Sequence, residues 1–323
     1  MKVINVIESY IKFRESLGYK DSITRNSTFQ TYHKFAAFVG NDKEFDIITE
    51  DDCLAFLNGN GTEVTTFWKK KHSALKKLFE WACSRGYAHE VAIPKFIPKM
   101  PDTHPAYIYS NEELKALFSA SLNYMKGESI TDPKSIRYIL LVTYVMGLRV
   151  SETINLKFKH IDVTQQIIHI EESKFYKSRY VTYNHQVARL INEIIEWCRL
   201  GGFTMGPEDY LFVSKIGEPV NFVTLHCIFA KIRKKANLYY PELKRHQPRI
   251  HDLRHTFAVN VLTSWYKQGK DVQTLLPKLS TYLGHQSISH TSVYLTKTIQ
   301  ILEEANKLFY NYKTDNNEII TDR

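Results

Sequence analysis

Ile167-Ile168-His169-Ile170 and Tyr180-Val181-Thr182-Tyr183 are the two stretches at which this chain changes its hydrophobic period. Isoleucine, valine and tyrosine alternate there with polar residues, the two-residue step of a half-buried strand. Lys174 to Lys177 lie between them as a turn, so residues 161–183 read as a short antiparallel sheet. On both sides the apolar step is three or four residues, the period of a helix. Before the sheet, residues 3–17, 23–39, 50–57 and 63–84 carry that spacing, separated by Gly18, Gly40 and the turn Asn58-Gly59-Asn60-Gly61. Thr49 and Thr62 stand where N-caps belong, Thr49 with Asp52 three residues on. Ser110-Asn111-Glu112-Glu113 is a capping box for a helix over 111–123, and a long apolar helix over 133–146 ends near Gly147. Helical spacing returns at 186–199, 222–237, 252–268, 272–283 and 298–312. The expected fold is mainly α: an N-terminal four-helix bundle, then a helical domain with one small antiparallel β-sheet.

A chain of 323 residues exceeds the roughly 100–200 residues usual for one domain. The natural boundary is the stretch 94–105, where Pro94, Pro98, Pro101 and Pro105 forbid a helix and favour extended backbone. The expected organisation is therefore a helical domain at 1–93, a proline-rich linker at 94–105 and a second domain at 106–323.

Lys and Arg number 43 against 34 Asp and Glu, a net charge of +9 that attracts polyphosphate and makes nucleic acid the favoured partner. The four cysteines, Cys53, Cys83, Cys198 and Cys227, lack CxxC spacing; three sit in apolar or aromatic contexts that suit free thiols in a reducing cytoplasm. Charges at Glu8, Lys12, Arg14 and Glu15 interrupt any signal-peptide core, and no uncharged apolar run reaches the ~18 residues that span a bilayer. The expectation is a cytoplasmic protein without a membrane partner.

Four local patterns carry chemistry. Gly147-Leu148-Arg149-Val150-Ser151-Glu152 offers a guanidinium fork for two phosphate oxygens, with Glu152 three residues on to hold it. Ser173-Lys174, with Lys177 and Arg179 beyond, makes the hairpin tip basic. His251-Asp252-Leu253-Arg254-His255 puts His251 and Arg254 on one helical face. Leu283-Gly284-His285, where Gly284 can close a helix, is followed by Tyr294 in Ser292-Val293-Tyr294-Leu295. Breaking a phosphodiester with a protein nucleophile needs an in-line attacking group, positive charge on the non-bridging oxygens, an acid for the leaving oxygen and an outlet for the nucleophile's proton. A phenol, with a pKa of ~10, needs neighbouring cations or imidazoles to attack. A zinc pair from His251 and His255 lacks the glutamate of HExxH and any nearby cysteine, so no metal ligand is assigned.

In order and spacing these patterns resemble the tyrosine recombinases, or phage integrase family, over roughly residues 106–297. The resemblance implies that Arg149, His251, Arg254 and His285 contact the scissile phosphate, that Tyr294 attacks it, and that Glu152 supports Arg149. It gives the general acid for the leaving 5′-oxygen to Lys174. The family pattern has glycines on both sides of that lysine where this chain has Ser173 and Phe175, and Lys177 is the alternative. The implied reaction makes a 3′-phosphotyrosyl link and passes it to a partner duplex. Bond energy stays in the ester, so no cofactor, ATP or metal is called for, and the sequence has no GxxxxGK[ST] loop. The implied partners are double-stranded DNA and copies of the same chain, a homo-oligomer (tetramer) on DNA with the helix over 298–312 packed on a neighbouring protomer. Leu276 to His285 is more similar to the mobile-element branch. Rival readings are a type IB topoisomerase, which religates the same strand, and a basic DNA-binding regulator with an inert tyrosine.

The N-terminal bundle matches the family only in general plan. Its run Phe67-Trp68-Lys69-Lys70-Lys71-His72-Ser73-Ala74-Leu75-Lys76-Lys77 is a basic helix with an apolar back, similar to the helix with which core-binding domains grip DNA. Lys69, Lys70, Lys71, Lys76 and Lys77 are expected on phosphates, where they add salt-dependent affinity without reading sequence. Lys177 and Arg179 are expected on DNA as well. Arg25, Asn26, Thr28 and Gln30 are further candidate contacts.

Overall fold

The computed structural model describes residues 1–19, 28–59, 64–99, 105–125, 129–173, 177–244, 246–297 and 303, without the side chains of 172–173, 177 and 296–297. The chain forms two compact units, Met1–Thr103 and His104–Arg323.

In the first unit, helices α1 (Val3–Ser16), α2 (Thr28–Val39), α3 (Glu50–Asn58) and α4 (Thr66–Ser84) follow the apolar spacing. Their inward faces meet around Phe35, Phe45, Leu75, Leu78 and Phe79, all 1% exposed or less. Thr49 caps α3 in a reciprocal box with Asp52, as the sequence indicates. The cap of α4 differs from expectation: Thr65, not Thr62, accepts the Trp68 amide, so the helix starts later. Within α4 the buried His72 ring stacks on Trp68 and bonds the Pro94 carbonyl at 2.8 Å, which ties the first of the proline-rich residues to this bundle.

The second unit opens with α5 (Asn111–Ala120), capped by the Ser110–Glu113 box, then α6 (Pro133–Val145) and the short α7 (Val150–Ile154). Strands β1 (Ile161–Asp162), β2 (Ile167–Ser173) and β3 (Lys177–Thr182) make one antiparallel sheet in that order. Ile168 pairs with Val181 and Ile170 with Arg179, and the register shifts between Ile170 and Ser173. Ile168, Ile170 and Val181 are buried, worth about 1.5–3 kcal/mol each, so the sheet packs one face on the helices. Helices α8 (His185–Leu200), α9 (Phe222–Lys235), α10 (His251–Lys267), α11 (Val272–Leu283) and α12 (Ser289–Lys297) complete the unit. The expected helix over 298–312 lies outside the described residues apart from Glu303. The protein is mainly helical with a small antiparallel sheet.

Two core regions hold the polar centre of this unit in place. One joins the sheet to α5–α9 and the start of α10. The other joins α10, α11 and α12 through Val259, Leu262, Leu276, Leu279, Leu283 and Tyr294. Cys53 and Cys198 are buried free thiols, whereas Cys227 is exposed. Among the described residues, no helix is long and apolar enough to cross a membrane.

Candidate active site

Two glycine turns and one carboxylate organise the polar centre of the second unit. Gly147 follows α6 at φ +59°, and a Cβ there would lie 2.3 Å from a Phe257 ring carbon, so only glycine fits the turn. Arg149 then caps α7, which places Glu152 one turn above it. The Glu152 carboxylate accepts from the Arg149 amide at 2.8 Å and from Arg149 Nη1 at 2.7 Å. Arg179, reaching over from β3, meets the same carboxylate with both guanidinium tips at 2.9 and 2.8 Å. Arg254 stands 3.9 Å away. Burial pushes the Glu152 carboxyl up, but the hydrogen bonds and charge of Arg179 and Arg149 outweigh it and hold its pKa down to about 2.

The second turn closes α11. Gly284 is left-handed at φ +69° and ends the helix, which leaves the last carbonyls without intrahelical partners. Each of three consecutive carbonyls receives a guanidinium: Tyr282 from Arg179 Nε at 2.9 Å, Leu283 from Arg254 Nη2 at 2.5 Å and Gly284 from Arg149 Nη2 at 2.6 Å. Arg254 also donates to the Gly147 carbonyl at 2.9 Å, joining the two turns. The negative end of the α11 dipole thus gathers three cations around one carboxylate. Arg254 is 1% exposed, and burial followed by the Arg149 charge pulls its pKa down to about 10.

The imidazoles and the phenol sit beside this cluster. Tyr294, on α12, is buried, and its hydroxyl lies 2.6 Å from His255 Nδ1. Burial lifts the phenol pKa to about 12, against the opposing charge of Arg254. Arg254 thus favours the phenolate as the sequence suggests, but burial outweighs it and the phenol keeps its proton in the free protein. The His251 ring meets His255 edge-on at 4.7 Å; it keeps a solvent-exposed side, yet burial of the rest, His255 and Arg254 lower its pKa. His285, just past Gly284, bonds the buried Thr291 hydroxyl through Nδ1 at 2.7 Å. Burial, Arg254 and Arg149 push His285 down to about 3, so it is neutral at physiological pH. The arrangement is an anion site of guanidinium and neutral imidazole groups with an uncharged phenol at its edge. Among the described residues no cluster of His, Cys, Asp and Glu is arranged to hold a metal ion.

The model of the phage integrase family matches residues 109–300, more than half of the chain and every element from α5 to α12. The chain belongs to the phage integrase family. It is a tyrosine recombinase, an enzyme of site-specific recombination. It is 28% identical over 302 residues to a putative integrase/recombinase of Sinorhizobium fredii, covering 93% of this chain and 94% of that one. It is 26% identical to tyrosine recombinase XerC of Staphylococcus epidermidis, covering 88% of this chain and 92% of that one. The fold matches a crystal structure of a lambda integrase dimer bound to a COC′ core site with a TM-score of 0.66 and 18% identity, over 90% of this chain and 97% of that one.

In this phage integrase family member, the structure brings Arg149, Glu152, His251, Arg254, His285 and Tyr294 into one cluster. Lys174 lies outside the described residues, as do Arg25, Asn26 and the Lys177 side chain. Arg179 does not take its expected place on the DNA-facing surface: its side chain is 11% exposed and holds Glu152 bidentately. Its parity with the buried Val181, opposite the exposed Tyr180, was the signal for that. Lys71 is likewise turned inward, donating to the Phe56 carbonyl at 2.5 Å and lying 4.8 Å from the Phe56 ring centre, with burial lowering its pKa. Lys69, Lys70, Lys76 and Lys77 are exposed as expected. Sequence reasoning had no place at the site for His255 beyond a zinc option, and none for Thr291.

Proposed function

We propose that the chain breaks and rejoins double-stranded DNA at a specific site, with Tyr294 forming a 3′-phosphotyrosyl link, for the integration, excision or transposition of a mobile element. Arg149 and Arg254 bind the non-bridging oxygens of the scissile phosphate, since two guanidinium groups neutralise charge that grows in the transition state. His285, neutral, donates a hydrogen bond to the same phosphate, and His251 lines its open side. Glu152 and Arg179 position Arg149 and Arg254. The family resemblance gives the acid role to Lys174, with Lys177 as the alternative; the amine protonates the 5′-oxygen as it leaves. That oxygen's equivalent on a partner duplex then attacks the tyrosyl ester and restores the backbone, with no ATP and no metal.

The observation that carries this reading is the convergence of Arg149, Arg254 and His285 on the C-terminal end of α11, with the Tyr294 hydroxyl one side chain away. The resemblance to a lambda integrase solved on a core site supports DNA as the partner. Strand exchange between two duplexes calls for four copies of the chain, and the segment over 298–312 is the piece assigned to a neighbouring protomer. Lys69, Lys70 and Lys77 line a cleft with Arg14, Thr28 and Ser73 in the first unit, a surface suited to the phosphate backbone. A chain that acts on the genome of its own cell works in the cytoplasm.

Covalent capture tests this and finds the target sequence in the same step. Nicked duplexes of randomised sequence are incubated with the protein in EDTA, and DNA that becomes covalently attached is recovered and sequenced. Two differently labelled copies of the recovered duplex should then yield joints carrying both labels. Parental strands resealed without joints would assign a topoisomerase, and no attachment at all would leave a DNA-binding regulator.

A further inference from the structure

The proposed reaction must move a proton off the Tyr294 phenol, and the roles given above to the arginines, His251, His285 and the lysine acid leave that proton unassigned. We propose that His255 is a catalytic residue of this enzyme, the base whose Nδ1 receives the Tyr294 proton as the phenol attacks phosphorus. This rests on Tyr294 being the nucleophile, and it names the missing partner of that step.

The geometry is direct. His255 Nδ1 and Tyr294 Oη are 2.6 Å apart, within the range at which a general base takes a proton, and their rings meet at 5.5 Å without stacking. The pairing is built by two elements that the core holds together: His255 follows the fully buried Arg254 on α10, and Tyr294 is packed into the cluster shared by α10, α11 and α12. His285 is engaged elsewhere, its Nδ1 bonded to Thr291, and among the described residues it is His255, not His251, that bonds the phenol.

The charge balance fits the role. The groups facing His255 are Arg249 ahead of α10, His251 and Arg254 on α10, Tyr294 on α12 and His285 after α11. Burial, then Arg249 and Arg254, holds the His255 pKa down to about 4, so the ring is neutral and free to accept at physiological pH. Proton transfer in the free protein is uphill, because the Tyr294 phenol is raised to about 12. It becomes possible only as the Oη–P bond forms: the O–H bond breaks, its electron pair goes to phosphorus, and the proton moves to Nδ1. The P–O5′ bond breaks at the same time and the departing oxygen takes the proton of the lysine acid. The new imidazolium then sits against a phosphate ester that carries negative charge. On the return step it gives the proton back to the leaving phenol, as microscopic reversibility requires.

Two measurements test this with the full-length protein. The first needs no DNA: ¹⁵N-histidine-labelled protein at pH 7 should show His255 with hydrogen on Nε2 and a bare, hydrogen-bonded Nδ1 whose resonance shifts in Tyr294→Phe. A protonated Nδ1 would overturn the proposal. The second is single-turnover attachment to the duplex recovered by covalent capture. His255→Gln should slow it about 10²-fold at pH 7, the scale of general base catalysis. The deficit should shrink about tenfold per pH unit as hydroxide replaces the base, while the wild type stays flat in this respect from about pH 6 to about pH 9. Imidazole added to His255→Gly should restore part of the rate. If His255→Gln attaches as fast as the wild type, or if its deficit is independent of pH and imidazole, His255 is structural or idle. If Tyr294→Phe attaches as well as the wild type, the nucleophile itself is misassigned, which is a different failure.

Discussion

Replacing Glu152 by glutamine tests whether one carboxylate organises the arginine cluster. The variant keeps the shape of the side chain and removes its charge. Glu152 is 4% exposed and accepts four hydrogen bonds from Arg149 and Arg179, so water screens little of the interaction. The drop of its pKa from 4.5 to about 2 corresponds to about 3 kcal/mol of stabilisation at neutral pH. Breaking one side of a buried ion pair costs about 3–5 kcal/mol by an independent route. The two figures meet at the lower bound, about 3 kcal/mol. For a unit of this size each kcal/mol moves Tm by about 2–4 °C, so Glu152→Gln should unfold about 6–12 °C below the wild type at pH 7. The sign with pH is fixed by the lowered pKa. The Glu152 contribution is complete above the unfolded value of about 4.5 and disappears as pH falls through about 2. Calorimetric unfolding across that window should therefore show the gap between the two proteins closing in acid. A gap below about 0.5 kcal/mol at pH 7, or one that widens in acid, would mean that the carboxylate does not organise the cluster.

Gly147→Ala should destabilise the second unit by about 2–5 kcal/mol in urea, because left-handed backbone and a Cβ placed 2.3 Å from Phe257 add strain to overpacking. In the first unit, Lys69→Ala, Lys70→Ala and Lys77→Ala should each lower the slope of log affinity against log salt by up to about 0.9, measured on non-specific duplex. Lys71→Ala should leave that slope unchanged and instead cost about 1 kcal/mol of stability, since its ammonium bonds the Phe56 carbonyl inside the bundle.

Helices and sheet were legible because their apolar periods are regular, and most boundaries fall within a residue or two of the expected ones. The misses have particular causes. Thr62 and Thr65 are equally good caps by identity, and only the path of the backbone chooses Thr65. Helix α12 is polar along most of its length, so Ser289–Lys297 carries no apolar stripe to announce it, and Tyr294 reads as an isolated aromatic. Lys71 lies three residues after Trp68 and four before Leu75, on the inward side of α4, a helical position that outweighs its charge. Arg179 shares a strand face with Val181, again a matter of parity. The site arginines, Glu152, His285 and Tyr294 were legible from motif order. Arg149 with Glu152 was legible as an i, i+3 pair, but that Arg179 would join the same carboxylate and that three guanidinium groups would converge on carbonyls 282–284 was not, because those bonds join residues 27 to 135 positions apart in sequence. His255 escaped for the same reason: its partner is 39 residues away.

Everything proposed for the reaction depends on the Tyr294 oxygen becoming bonded to phosphorus. Peptide mapping by mass spectrometry of protein trapped on the recovered nicked duplex reads that bond directly. A nucleotide remnant should appear on the peptide containing Tyr294, and Tyr294→Phe should give no adduct. An adduct on any other residue, or equal trapping of the phenylalanine variant, would show that the phenol is not the nucleophile.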